Sequence, residues 1–114
     1  VNFYHGGSCM GGHRDDLEHA MDAPVISFSL GLPAIFLLGG LTRGEPPCPV
    51  LVRSGDVMVL GGPSRLRYHG VPRVLQGVSI PGHIQQGQND SWHCEDDILQ
   101  KYLSEHRINV NVRP

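Results

Sequence analysis

The stretch PVISFSLGLPAIFLLGGL, residues 24–41, reads as two strands. Successive side chains on a strand point to opposite faces. Val25, Ser27 and Ser29 therefore share one face, and Ile26, Phe28 and Leu30 the other. A Leu-Pro break separates this run from a second strand in AIFLLGGL. Upstream, VNFYH (1–5) is a strand; downstream, RGEPPCP (43–49) is a loop. VLVRSGDVMVL (50–60) predicts a hairpin turning at Ser54-Gly55-Asp56. SRLRYHGVPRVL (64–75) predicts one extended stretch, and residues 76–94 a polar loop. EDDILQKYLSEH (95–106) has Ile98, Leu99, Tyr102 and Leu103 at helical spacing behind an acidic start, so a helix is expected. RINVNVR (107–113) closes the chain as a strand. Many short strands with one late helix predict a mainly β sandwich or barrel rather than a parallel βαβ sheet.

The 114 residues suffice for a single domain, 1–114, with one core. Fifteen glycines and nine prolines suit short strands and tight turns. A net charge of −2 gives no general pull toward polyanions, so any nucleic-acid contact must be local. No apolar run is long enough to span a bilayer, and no signal peptide is visible. Cys9, Cys48 and Cys94 are odd in number and lack CxxC spacing, which favours ordinary thiols in a reducing, intracellular setting. The chain opens directly in a strand, as a piece of a longer protein would.

GGHRDD (11–16) carries the chemistry. On a strand, His13 and Asp15 face one way and Arg14 the other. Of the seven histidines, His69 is the best third partner, ending LRYH with the small Gly70 beside it. Two imidazoles and a carboxylate leave half an octahedron open, the facial triad of non-haem Fe(II) oxygenases. The plainer alternative is a polar surface pair and a core histidine. In RINVNVR, Arg107, Asn109, Asn111 and Arg113 share one face; either it is solvated, or it lines an interior that takes a small dianion. Asn2 and Tyr4 add an amide and a phenol on one face of the first strand. At about 3.3 Å per residue, Arg107 and Arg113 lie roughly 20 Å apart. So far apart, the two cannot do the same job on a short ligand; Arg107 is assigned to its far carboxylate and Arg113 to the metal end. Arg53, Arg65, Arg67 and Arg73 form a local basic excess, read equally as phosphate contacts or solvated strand faces. GGHRDDLEH is not a phosphate loop, since it lacks the lysine and the following helix.

With these residues in place, the chain resembles the AlkB family of Fe(II)/2-oxoglutarate dioxygenases. The resemblance runs through NFY (2–4), HRD (13–15), SFSLGLPAIFLLGGL (27–41), SGDVMVLGGPSRLRYHGVPRVL (54–75) and RINVNVR (107–113). The insertion at 76–106 resembles the eukaryotic homologue 1 branch, and the family's N-terminal substrate lid lies outside these residues. The resemblance implies a double-stranded β-helix, or jelly roll. It implies iron ligands His13, Asp15 and His69, and 2-oxoglutarate contacts from Asn2, Tyr4, Arg107, Asn109 and Arg113. It further implies oxidative demethylation, with O₂, of N-methylated bases in single-stranded or flipped-out DNA or RNA, tRNA included. The bacterial pattern has an acidic residue at the position of Leu17 and a tryptophan at that of Leu60. Oxidation of protein or small molecules, or a catalytically idle binding domain, would use the same residues.

Overall fold

The computed structural model describes residues 1–78 and 96–114. The predicted loop at 76–94, with His83, His93 and Cys94, therefore lies almost wholly outside the described residues. The strands are β1 (Asn2–His5), β2 (Met10–His13), β3 (Val25–Gly31), β4 (Ala34–Leu38), β5 (Cys48–Val52), β6 (Val57–Leu60), β7 (His69–Val74) and β8 (His106–Val112). A 3₁₀ turn (Gly62–Ser64) precedes β7, and helix α1 (Asp97–Glu105) leads directly into β8. The strands form two antiparallel four-stranded sheets, ordered β1-β8-β3-β6 and β2-β7-β4-β5. Tyr4 from the first sheet, Ala34, Val71 and Val74 from the second, and Leu32 between them make a shared core. This is the expected jelly roll.

The 24–41 stretch divides as its pattern predicts, into β3 and β4. Ser29 is buried and Phe28 and Leu30 are exposed, so the serine face of β3 points inward. Two sequence expectations need correction. Residues 50–60 are not a hairpin, because β5 and β6 lie in different sheets. The Ser54-Gly55-Asp56 turn is a crossover sewn to β3: the Gly55 amide donates to the Ser29 carbonyl (2.8 Å), and the Ser29 amide donates to the Asp56 carbonyl (3.0 Å). Residues 64–75 are not one strand either. Gly62 turns the chain with φ +51°, Pro63 opens a 3₁₀ turn, and extended pairing starts only at His69.

Helix α1 begins where its acids predict. Asp96 caps it, accepting from the Ile98 and Leu99 amides at 2.9 and 3.2 Å. At its end the Tyr102 and His106 rings stack 4.2 Å apart. The helix lies against β3 and β8 but buries none of its own residues; Ile98 is 81% exposed.

Gly31 is where α1, β3 and β8 meet. It has φ +81°, and a Cβ there would sit 2.2 Å from the His106 carbonyl oxygen. Gly55 has a similar φ, +90°, with open space around it. Alanine at 55 is therefore expected to cost only the left-handed backbone penalty, about 1–2 kcal/mol. Alanine at 31 adds a clash with fixed backbone and should cost clearly more. Urea denaturation of the two variants checks this; equal losses would mean that the α1–β3 junction is soft.

Candidate metal centre

β2 and β7 pair antiparallel with His13 directly opposite His69. Their rings lie 4.5 Å apart, centre to centre. Gly70 makes this approach possible, since a Cβ there would stand 2.9 Å from the Met10 carbonyl oxygen on β2. The glycine thus makes room for the neighbouring strand, rather than for the His69 side chain.

β2 ends at His13, so Asp15 enters the site from coil and not from the strand alternation first assumed. It nonetheless turns toward both imidazoles. Asp15 Oδ1 lies 4.0 Å from His13 Nε2, and Oδ2 lies 3.6 Å from His69 Nε2. Arg14 points elsewhere and pairs with Asp16 at 2.8 Å. One ligand atom from each of His13, Asp15 and His69 falls within 4.8 Å of the others.

The tautomers follow from the hydrogen bonds. His13 Nδ1 is 2.9 Å from the Gly11 carbonyl, and His69 Nδ1 is 3.1 Å from the Arg67 carbonyl. A carbonyl can only accept, so each Nδ1 carries a proton, and Nε2 is the ring nitrogen turned toward Asp15. Burial pushes the His69 imidazole below its ordinary pKa and outweighs the Arg67 carbonyl and Asp15, which act upward. It is neutral at neutral pH, the form that binds metals. Phe36 stacks on His69 at 5.6 Å and fixes the ring plane.

The interior cavity beside these three residues is lined by Asn2, Tyr4, Arg107, Asn109 and Arg113. Every residue named from the sequence as an iron ligand or a 2-oxoglutarate contact therefore lies at one place. Arg107 is buried; its Nη2 donates to Ser29 Oγ (2.8 Å) and its Nη1 to the Leu32 carbonyl (3.3 Å). Its Nε is buried with no partner among the described residues. Desolvation lowers the Arg107 pKa and raises that of Tyr4, and mutual Coulomb attraction opposes both shifts. Asn109 accepts from Ser27 Oγ (2.7 Å) and donates to Asn111 (3.1 Å). Arg113 lies at the other end, its Nη1 3.2 Å from Asp15 Oδ1.

The sequence reading missed Ser29, Phe36 and Glu18 as neighbours of the site. Alternation marks Ser29 as lying on the Val25 face of β3, but only the fold shows which residue it meets. Leu17 is almost fully exposed, whereas Leu60 is buried and lines the cavity.

A jelly roll with two histidines and a carboxylate converging beside an arginine-lined cavity defines the class of non-haem iron oxygenases. Residues 1–113 match the 2OG-Fe(II) oxygenase superfamily, and the chain belongs to it. It is 38% identical over 113 residues to the DNA N(6)-methyladenine demethylase ALKBH1A of Arabidopsis thaliana, covering 99% of this chain and 32% of that protein. It is 36% identical to the tRNA demethylase abh1 of Schizosaccharomyces pombe, covering 99% of this chain and 34% of that protein. The solved structure of OsALKBH1 superposes with a TM-score of 0.72 at 30% identity, over 98% of this chain and 47% of that one. The likeness to AlkB homologues seen in the sequence motifs is thus borne out. The chain spans about a third of the length of these curated relatives.

Among the histidines, only His13 and His69 should be needed for metal binding. His69→Gln is expected to lose a stoichiometric Mn(II) site by titration, while His5→Gln, His19→Gln and His106→Gln retain it. Loss in His106→Gln with retention in His69→Gln would move the third ligand to β8.

Proposed function

We propose that this chain is the catalytic core of an Fe(II)/2-oxoglutarate-dependent dioxygenase that demethylates N-methylated nucleobases in DNA or RNA, inside the cell. The observation that carries this reading is the convergence of His13, Asp15 and His69, with both rings oriented Nε2-inward by backbone hydrogen bonds at Nδ1. Orienting hydrogen bonds on ligand histidines are a general mark of metal sites. The cavity also fits the co-substrate. Arg107 Nε is a buried donor with no partner among the described residues, which costs free energy unless an acceptor arrives. A carboxylate supplies one, and the neighbouring Tyr4 hydroxyl and Asn2 amide extend the polar end.

In this reading His13, Asp15 and His69 hold the iron. Arg107, Tyr4 and Asn2 take the far carboxylate of 2-oxoglutarate, and Arg113 and Asn109 serve nearer the metal end. When bound, iron and 2-oxoglutarate supply the O₂-dependent oxidation of the methyl carbon, with succinate, CO₂ and formaldehyde released. The protein's own part is orientation and exclusion of water. The β2–β7 pairing fixes both imidazoles, Arg113 holds Asp15 turned inward, and the apolar Val71, Leu60 and Phe36 close the cavity around the reacting groups. The names of the relatives, one a DNA and one a tRNA demethylase, support nucleic acid as the substrate class. The target base must be single-stranded or flipped out to reach such a cavity.

The test is formaldehyde release from N-methylated oligonucleotides and tRNA, with Fe(II) and 2-oxoglutarate present. Release is expected from nucleic acid; succinate formation coupled only to protein or small-molecule substrates would overturn the substrate class. His13→Ala and Asp15→Ala are expected to abolish turnover, whereas Arg14→Ala should be mild. Arg107→Ala should raise the 2-oxoglutarate requirement by roughly one to two decades, from about 1.5–3 kcal/mol for a lost charge-assisted bond. Arg107→Lys should rescue only partly, since an ammonium lacks the planar fork. Unchanged co-substrate affinity in Arg107→Ala would leave β8 without a binding role.

A further inference from the structure

Residues 14–24, between β2 and β3, form no strand or helix, yet they carry Asp15. Coil cannot hold a ligand carboxylate in place without outside support. Arg65 supplies it from the turn after Gly62–Ser64. Its Nη1 donates to the Asp15 carbonyl (2.5 Å), its Nε to the Ala23 carbonyl (2.9 Å) and its Nη2 to Glu18 Oε2 (3.1 Å). One guanidinium thus ties down three points of a single segment. Arg65 is only 3% exposed, which removes it from the phosphate-contacting arginines considered from the sequence.

Glu18 continues the chain. Its Oε1 accepts from Arg113 Nη1 at 3.2 Å, and the same nitrogen lies 3.2 Å from Asp15 Oδ1. The order is Asp15, Arg113, Glu18, Arg65, with charges alternating and summing to zero. Glu18 is nine-tenths buried. Neither Arg65 nor Glu18 lines the cavity, whereas Asp15 and Arg113 both do. A buried ion pair is a weak source of stability, because desolvation offsets most of its Coulomb gain. Its value here is geometric.

We propose that Arg65 and Glu18 are positioning residues for the metal centre: Arg65 fixes the backbone that carries Asp15, and Glu18 holds the Arg113 guanidinium against the Asp15 carboxylate. The proposal rests on the reading of His13, Asp15 and His69 as ligands. The two residues act on different ends of the site. Arg65 acts on a ligand's backbone, so its loss should weaken metal binding first. Glu18 acts on the cation at the metal end of the co-substrate, so its loss should weaken 2-oxoglutarate binding first.

The experiment is an anaerobic Fe(II) titration of the whole chain, followed by 2-oxoglutarate titration of the iron-loaded protein. Circular dichroism reports the folded fraction. Arg65→Lys keeps the charge but cannot reach three acceptors with fork geometry. It is expected to raise the Fe(II) dissociation constant about tenfold or more, the usual scale for groups supporting metal ligands, with one site per folded molecule retained. Glu18→Gln should leave Fe(II) affinity closer to wild type and raise the 2-oxoglutarate dissociation constant, with Glu18→Asp intermediate. Fewer folded molecules, each with wild-type affinities, would show that the pair is structural and overturn the proposal. Should Arg65→Lys fail to fold, the Glu18 variants still decide it. A wild-type chain that takes up no Fe(II) would instead overturn the ligand reading on which the proposal stands.

Discussion

The close pairing of β2 with β7 is the constraint on which the site depends. It sets His13 across from His69 and forces Gly70 to do without a side chain. Directly paired residues on antiparallel strands hold their Cβ atoms about 4.5–5.5 Å apart, near enough for two imidazoles to share one ion. The register shift between Met10 and His13 falls inside this pairing. A bulge of this kind re-aims a side chain and commonly ends a strand. Here β2 does end at His13, and the chain leaves as coil in time for Asp15 to turn back beneath both rings.

That geometry explains which parts of the site were legible in the sequence. Alternation within one strand is a local property. It placed Arg107, Asn109, Asn111 and Arg113 on one face, and all four line the cavity. It also separated Arg14 from Asp15, although for the wrong reason, since the coil after β2 and not the pleat makes that separation. The helix was legible because Asp96 is a capping residue ahead of a run with helical spacing. The choice of strand partner was not legible. Ser54-Gly55-Asp56 has the composition of a hairpin turn, yet its amides and carbonyls bond to β3 and the flanking strands part into different sheets. A three-residue signal reports that the chain turns, not which sheet receives it.

Arg65 and Glu18 were illegible for a related reason. Forty-seven residues separate them, and nothing in either neighbourhood marks a buried pair. From the sequence, Arg65 is one of four arginines near His69. In the fold those arginines diverge. Arg53 and Arg73 face outward, Arg67 donates to the Gly39 carbonyl, and Arg65 is enclosed. Charge clustering along a sequence thus says little about a shared surface.

The polarity of the first sheet is inverted relative to an ordinary sandwich. Along β3 and β8 the inward face carries Ser27, Ser29, Arg107, Asn109 and Asn111, while Phe28, Leu30 and Val112 are exposed. Burying polar groups costs free energy unless each finds a partner. Ser27, Asn109 and Asn111 satisfy one another, and Ser29 serves Arg107. Those bonds limit the cost without making the interior as favourable as packed hydrocarbon would. Arg107 is the clearest case. Its surroundings disfavour the charged form, and one donor has no partner among the described residues. A chain shaped for stability alone would place leucine or valine there. On the proposed reading, an arginine held in that position is preorganised for an anion, and an entering carboxylate would give its desolvated guanidinium the partner it lacks among the described residues.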